Sequence, residues 1–211
     1  MSLSPLELAE RGRVPDAAIR WGIRKLLRRR LAKLHAEAAG NPSAYVDDFI
    51  GQLHQDAVAE HTDQANVQHY EVPTAFFQLI LGPRLKYSSC FYPEPGTSLA
   101  EAEEAMLRTT CERAGVADGQ DILELGCGWG SLTLWMAQSL PTARITALTN
   151  SATQAEFVRR QLLPADRDRV TVVQADINQF RTDQAFDRVV SVEMLEHVRN
   201  YPLLFRRLAG W

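Results

Sequence analysis

The sequence predicts an α/β protein, a parallel sheet covered by helices on both faces, with a helical extension ahead of it. Three observations carry this. From residue 121 onward, short apolar and β-branched runs alternate with stretches of helical periodicity, the pattern of right-handed strand–helix–strand crossovers. A glycine cluster, Gly126-Cys127-Gly128-Trp129-Gly130, falls where the first strand meets the helix that follows it. The strong patterns before residue 67 are helical, so residues 1–66 are read as the extension and 67–211 as the sheet domain.

Each element has a local signature. From Asp16 to Glu37, Ile19, Ile23, Leu26, Leu27, Leu31 and Leu34 recur at helical spacing, and Arg20, Arg24, Lys25, Arg28, Arg29, Arg30 and Lys33 fill the other faces. Gly40-Asn41-Pro42 breaks that helix. A second, acidic amphipathic stretch carries Val46, Phe49, Ile50, Leu53 and Val58 on one side. Gln68 to Pro95 reads as an ordered connection with a short helix around Phe76 to Leu81. Ser98 and Glu101 form a capping box that opens a helix from Leu99 to Ala114, which ends at Gly115 and Gly119. Strands are expected at Asp121–Leu125, Arg144–Thr149, Val170–Gln174 and Phe186–Val192. Helices are expected from Leu132 to Leu140, from a second capping box at Ser151–Gln154 to about Leu163, and from Tyr201 to Leu208. A parallel sheet of this kind binds its ligand beyond the carboxyl ends of the strands. The chemistry is therefore expected just after Leu125, Thr149, Gln174 and Val192.

Composition narrows the function classes. The formal net charge of −3 creates no whole-molecule field for nucleic acid. No stretch approaches the ~20 apolar residues that span a bilayer, and Met1 to Gly12 carries acids and no apolar core, unlike a secretory signal. Cys90, Cys111 and Cys127 are scattered without CxxC spacing, so neither a disulfide framework nor a metal site is expected. A cytoplasmic location follows from that usage.

The glycine loop discriminates among ligands by its spacing. A dinucleotide site needs G-x-G-x-x-G and an acid about 20 residues on. Here the third glycine, Gly130, comes one place early, Ser131 stands in the dinucleotide position, and the second strand ends in Thr149-Asn150. No P-loop sequence is present. An acid followed by G-x-G-x-G, as in Glu124 to Gly130, is instead the pattern of methyltransferases that bind S-adenosylmethionine. Glu124 can face the ammonium of that ligand while the backbone of Gly126, Gly128 and Gly130 lies along its methionine portion. Asn150 or Thr149 can bond the ribose hydroxyls. Asp176 can accept from the adenine amine, with Ile177 packed on the ring. Trp129 is either a cofactor contact or plain packing.

These residues resemble a known group. Leu125–Gly130, His69–Pro73, Tyr87-Ser88, Asp187–Ser191 and Glu196-His197 are similar to the cyclopropane-fatty-acid synthase family of methyltransferases. His69–Pro73, Cys111–Ala114, Leu148–Ser151, Val192–His197, Asn200-Tyr201 and Val14-Pro15 look closer to its coclaurine-type N-methyltransferase branch. The resemblance implies a Rossmann-like class I methyltransferase fold with S-adenosylmethionine as cofactor. It implies that Tyr87, Ser88, Gly126, Asn150, Gln154, Asp176 and Ile177 touch the cofactor, and that Glu71, Glu196 and His197 line the acceptor pocket. Two departures matter. Ser89 stands where the cyclopropane synthases have a bicarbonate-binding cysteine, which favours a heteroatom acceptor. The family sheet has seven strands and only four are read here, so the chain is expected to be the front part of the domain.

Methyl transfer needs proximity, alignment and, for an amine, a base. His197 is the candidate base, with Glu196 and Glu71 holding the acceptor cation. A small amine is the expected acceptor, and an unsaturated phospholipid acyl chain is the alternative. The basic helix at 16–37 has a solvated face as its default reading. A membrane-surface helix reading anionic headgroups is the second, and nucleic acid the weakest, because no recognised module is present. A non-catalytic cofactor-binding module and an NAD-dependent oxidoreductase are the readings from other classes.

Overall fold

The computed structural model describes residues 4–38, 40–55, 57–60 and 73–211, and the chain divides into two compact units, Met1–Gln52 and Leu53–Trp211. The boundary expected at residue 66 lies outside the described residues. The first unit is helical. Helix α1 (Pro5–Glu10) was not expected, yet its signal is in the sequence: the Ser4 side chain accepts from the Glu7 amide, and Glu7 returns to the Ser4 amide at 2.7 Å. The next helix, α2 (Asp16–Glu37), opens after Pro15 and carries no buried residue. Lys25 Nζ lies 4.9 Å over the Trp21 ring. Helix α3 (Pro42–Leu53) follows, with the Asn41 side chain accepting from the Ala44 amide. Val58, expected on the apolar side of this stretch, belongs instead to the second unit. It is buried, and its carbonyl accepts from the Arg199 amide at 2.8 Å.

The second unit holds a four-stranded parallel sheet in the order β3-β2-β1-β4. Its strands are β1 (Asp121–Leu125), β2 (Arg144–Thr149), β3 (Val170–Gln174) and β4 (Arg188–Ser191). The central strand pairs Leu123 with Thr146 on one side and with Val189 on the other. Side chains alternate across the pleat. Ile122 therefore joins the core made with α5 (Leu99–Ala114), α6 (Ser131–Ser139) and α7 (Ala152–Gln161), through Leu107, Met136 and Val158. Leu123 and Leu125 face the opposite core, closed by Ile177, Phe180, Val58 and Leu204 of α8 (Tyr201–Leu208). Both faces of the sheet are thus covered, as a parallel sheet requires.

The helix ends explain why the elements stop where they do. Ser98 and Glu101 form the expected reciprocal box, and Gly115 closes α5 in a left-handed conformation. Helix α6 is closed by an arginine distant in sequence. Arg169 Nη1 donates to the carbonyls of Leu140 and Ala143 at 2.9 and 3.1 Å, while Nη2 reaches the Ala137 carbonyl and the Asp166 carboxylate. At α7 the expected box is half formed. Ser151 caps the Gln154 amide, but the Gln154 side chain turns to Thr149 instead, and the helix ends at Gln161. Strand β4 is also shorter than expected. Phe186 N bonds the Trp211 carbonyl rather than a strand, and Asp187 N reaches Asp121. The short helix α4 runs from Thr74 to Ile80 and buries Phe77.

Candidate active site

The glycine loop is fixed before any ligand is considered. The Gly126 and Cys127 amides both donate to the Leu148 carbonyl, at 2.9 and 2.8 Å, which folds the loop over the end of β2. Gly126 and Gly128 have φ of 78° and 54°, where a side chain is strained. A Cβ on Gly126 would meet Met194 Cβ at 2.8 Å, so that glycine serves packing. One on Gly128 would meet nothing within 4 Å, because the space beside it is open crevice.

Two adjoining cavities lie at the carboxyl ends of the strands, of about 230 and 220 Å³. They share Gly126, Gly128, Gln154, Glu193 and His197 as a common wall. The first is further lined by Tyr87, Ser88, Glu124, Trp129, Ser131 and Glu196, and the second by Thr149, Asn150, Asp176 and Ile177. All described residues expected at the site therefore converge on this crevice, except Gly130. Gly130 caps α6 behind the loop with φ 82°, and a Cβ there would strike Val158 at 2.7 Å. Glu71 and His69 lie outside the described residues.

The side chains differ in how free they are. Glu124 is buried, and its carboxylate accepts from the Thr133 hydroxyl at 2.5 Å. Burial pushes its carboxyl up to about 7, against the opposing pull of that hydrogen bond. Thr149 is also buried. Its hydroxyl donates to Gln154 Oε1 at 2.8 Å and accepts from the Ser151 amide, so its one proton is used inside the protein. Of the two residues weighed for the ribose, both line the second cavity, and Thr149 has its hydroxyl proton committed to Gln154. One Asp176 oxygen accepts from the Asn178 amide at 2.7 Å. Trp129 packs against Phe77 in a tilted pair and against Phe157 edge-to-face, with centroids 4.7 and 5.4 Å apart, and it also lines the first cavity. Glu196 and His197 sit in a single 3-10 turn, Leu195–His197, and both are exposed.

Charged residues of the crevice that were not singled out from sequence include Glu193 and Lys86. Glu193 is a non-glycine residue at φ 52° on the common wall. It accepts from the hydroxyls of Ser88 and Ser89, which hold its carboxyl below the usual range. Its signal was available, since it directly follows Val192 at a strand end. Lys86 is buried and lines the first cavity beside it. Nothing in the local sequence marks this lysine as buried.

Together the cavities offer Glu60, Glu124, Asp176, Glu193 and Glu196 against Lys86 and His197 among the described residues. Such a wall repels phosphate and suits a cationic or zwitterionic ligand. Trp129 Nε1, Ser131 Oγ and Gln154 Nε2 are buried without a partner among the described residues, and all three residues line the first cavity. Buried polar atoms of this kind call for a ligand or water. A nucleoside carrying a sulfonium amino acid satisfies both features, and the residues present fit S-adenosylmethionine.

The chain is 38% identical over 98% of its length to (S)-coclaurine N-methyltransferase of Thalictrum flavum subsp. glaucum, and covers 57% of that relative. It is 34% identical over 65% of its length to the cyclopropane-fatty-acyl-phospholipid synthase of Escherichia coli strain K12, covering 35% of it. Its fold superposes on the crystal structure of a coclaurine N-methyltransferase bound to N-methylheliamine and S-adenosylhomocysteine with a TM-score of 0.80 and 36% identity. That match covers 98% of this chain and 59% of the other. The chain thus spans little more than half the length of the N-methyltransferases it matches. The sheet and its crevice have the class I methyltransferase fold, and residues 58–210 match the family model described as mycolic acid cyclopropane synthetase, the family to which this chain belongs.

Proposed function

We propose that this chain is the cofactor-binding and catalytic front of an S-adenosylmethionine-dependent methyltransferase whose acceptor is a small amine. The observation that carries the proposal is the common wall of the two cavities, where Glu193 and His197 face both. The second cavity takes the nucleoside, with Asp176 at the adenine amine, Ile177 against the ring and Asn150 at the ribose. Glu124, Ser88, Tyr87 and Gln154 take the amino-acid end, along the Gly126–Gly128 backbone. When bound, the cofactor supplies an electrophilic methyl group. The protein's own part is to hold and deprotonate the acceptor. An amine is nucleophilic only when neutral, so His197 removes its proton while Glu193 and Glu196, with Glu71, anchor the cation. The amine substrates named for the relatives at 34–38% identity support this reading, as does Ser89, which lacks the thiol of the cyclopropane synthases.

The test is His197→Ala assayed with coclaurine as acceptor. We expect a fall in rate of about 10²–10⁴-fold, the usual contribution of a general base, with adenosylhomocysteine affinity unchanged. A variant that binds cofactor and methylates at the normal rate would remove His197 from this role.

A lipid acceptor is the second reading. Its support is α2, whose seven cationic side chains alternate with Trp21, Leu26, Leu27 and Leu31, each more than half exposed. The density of cations suits electrostatic contact with an anionic membrane surface from the cytoplasmic side. The free cysteines, Cys90, Cys111 and Cys127, fit that compartment.

A further inference from the structure

The segment Val58 to Glu60 is pinned between the loops that follow β3 and β4. On one edge the Asn178 side chain meets both backbone groups of Ala59. Its Oδ1 accepts from the Ala59 amide at 3.0 Å, and its Nδ2 donates to the Ala59 carbonyl at 2.8 Å. On the other edge Ala59 bridges Val198 in antiparallel fashion, and the Val58 carbonyl accepts from the Arg199 amide at 2.8 Å. Val58 and Ala59 are buried in the core beneath β1, which adds apolar anchorage.

This anchorage fixes the residue that follows. Glu60 lines the second cavity, and its Oε2 lies 3.2 Å from Arg199 Nε. A carboxylate can accept about four hydrogen bonds, so the ion pair orients the group and leaves it capacity for a ligand. Dinucleotide sites on parallel sheets bond the ribose hydroxyls through an acid about 20 residues beyond the glycine loop, after the second strand. Here β2 ends in Thr149-Asn150, and the Thr149 hydroxyl donates to Gln154. Among the described residues the acids lining the second cavity are Glu60, Asp176 and Glu193. Glu193 is shared with the first cavity and accepts from Ser89. One Asp176 oxygen is taken by the Asn178 amide, and Asp176 stands at the adenine end in the reading above.

We propose that Glu60 is the ribose-recognising carboxylate of this site, supplied from ahead of the sheet instead of from the end of β2, and that Asn178 is the positioning residue that fixes it through Ala59. This rests on the reading of the second cavity as the nucleoside site. Vicinal ribose hydroxyls present two donors, which the two oxygens of one carboxylate can accept together. Asn150, on the same cavity, supplements it.

The test is a calorimetric titration of the full chain with S-adenosylhomocysteine and with its 2′-deoxy and 3′-deoxy analogues. The wild type should bind at least one deoxy analogue about tenfold or more weakly, as expected when a hydrogen bond to a charged acceptor is lost. In Glu60→Ala that ratio should fall toward one, because the parent ligand loses the same bond. Glu60 is exposed, so the variant should fold. Asn178→Ala keeps the amide that Asp176 uses and should lower the ratio in the same way, whereas a merely structural defect would weaken all three ligands alike. If Asn178→Ala does not fold, Asn178→Asp, which loses only the donor to the Ala59 carbonyl, should move the ratio in the same direction. An undiminished ratio in Glu60→Ala, or equal binding of all three ligands by the wild type, overturns the ribose assignment while leaving the cofactor reading intact. A ratio lost in Glu60→Ala but kept in the Asn178 variants overturns the positioning role. A folded wild type that binds none of the three contradicts the nucleoside reading itself, and the proposal falls with it.

Discussion

Glu124 sits where three demands meet: it is the penultimate residue of β1, fills a buried position and lines the first cavity beside the glycine loop. Its carboxyl is raised to about 7 by burial, and the sign of the consequence follows. Below the ordinary carboxylate value near 4.5 the group is protonated in both folded and unfolded chains. Between there and about pH 7 only the folded state retains the proton, so stability falls as pH rises through that window. Urea unfolding from pH 4 to pH 8 should show this decline, and Glu124→Gln should be flatter over the same range. An equal slope in both proteins would mean that Glu124 is not the group responsible. The glycines separate in the same residue-by-residue way. Gly126→Ala should lose about 1–3 kcal/mol of stability to the Met194 collision, as read by thermal melting. Gly128→Ala should fold, with at most about 1–2 kcal/mol lost to its left-handed backbone, yet bind adenosylhomocysteine at least tenfold more weakly. Spacing alone could not tell these roles apart, because both positions read simply as glycine in a loop. Nor could sequence find Lys86, a buried residue whose backbone amide is held by Glu103 of α5.

At the scale of elements, local rules were most reliable where a cap lies within a few residues of the end it closes. Ser98 and Glu101 mark α5, and β1, β2 and β3 end where their apolar runs end. The same reasoning was available at Ser4 and Glu7, where α1 starts. What was not legible comes from distant partners. Arg169 closes α6 from beyond α7, Thr149 draws Gln154 out of its capping box, and Val58 pairs with the loop after β4 instead of continuing α3. Helix α2 carries the prediction that belongs to this scale. Its cations and exposed apolar side chains should bring the chain down with phosphatidylserine-containing vesicles, and not with phosphatidylcholine ones, at low ionic strength. Replacing Arg28, Arg29 and Arg30 by Gln should reduce that binding by about tenfold or more. Co-sedimentation independent of lipid charge would leave α2 a solvated helix.

For the whole molecule, a parallel sheet with both faces covered leaves its ligand one natural place, beyond the carboxyl ends of its strands. That rule located the crevice from sequence. The resemblance of Val192–His197 to N-methyltransferases then pointed to the acceptor side, although Glu193 emerged only from the strained turn that puts it on both cavities. The sheet described here has four strands, and the relatives extend well past the region matched. Cofactor binding is therefore the activity that these residues themselves must supply. The most direct measurement is a calorimetric titration of the 211-residue chain with S-adenosylhomocysteine, with NADH as the control. Saturable binding that Asp176→Ala abolishes, and no heat from NADH, is the expected result. A folded chain that binds NADH, or that leaves adenosylhomocysteine unbound, would contradict the assignment of the crevice.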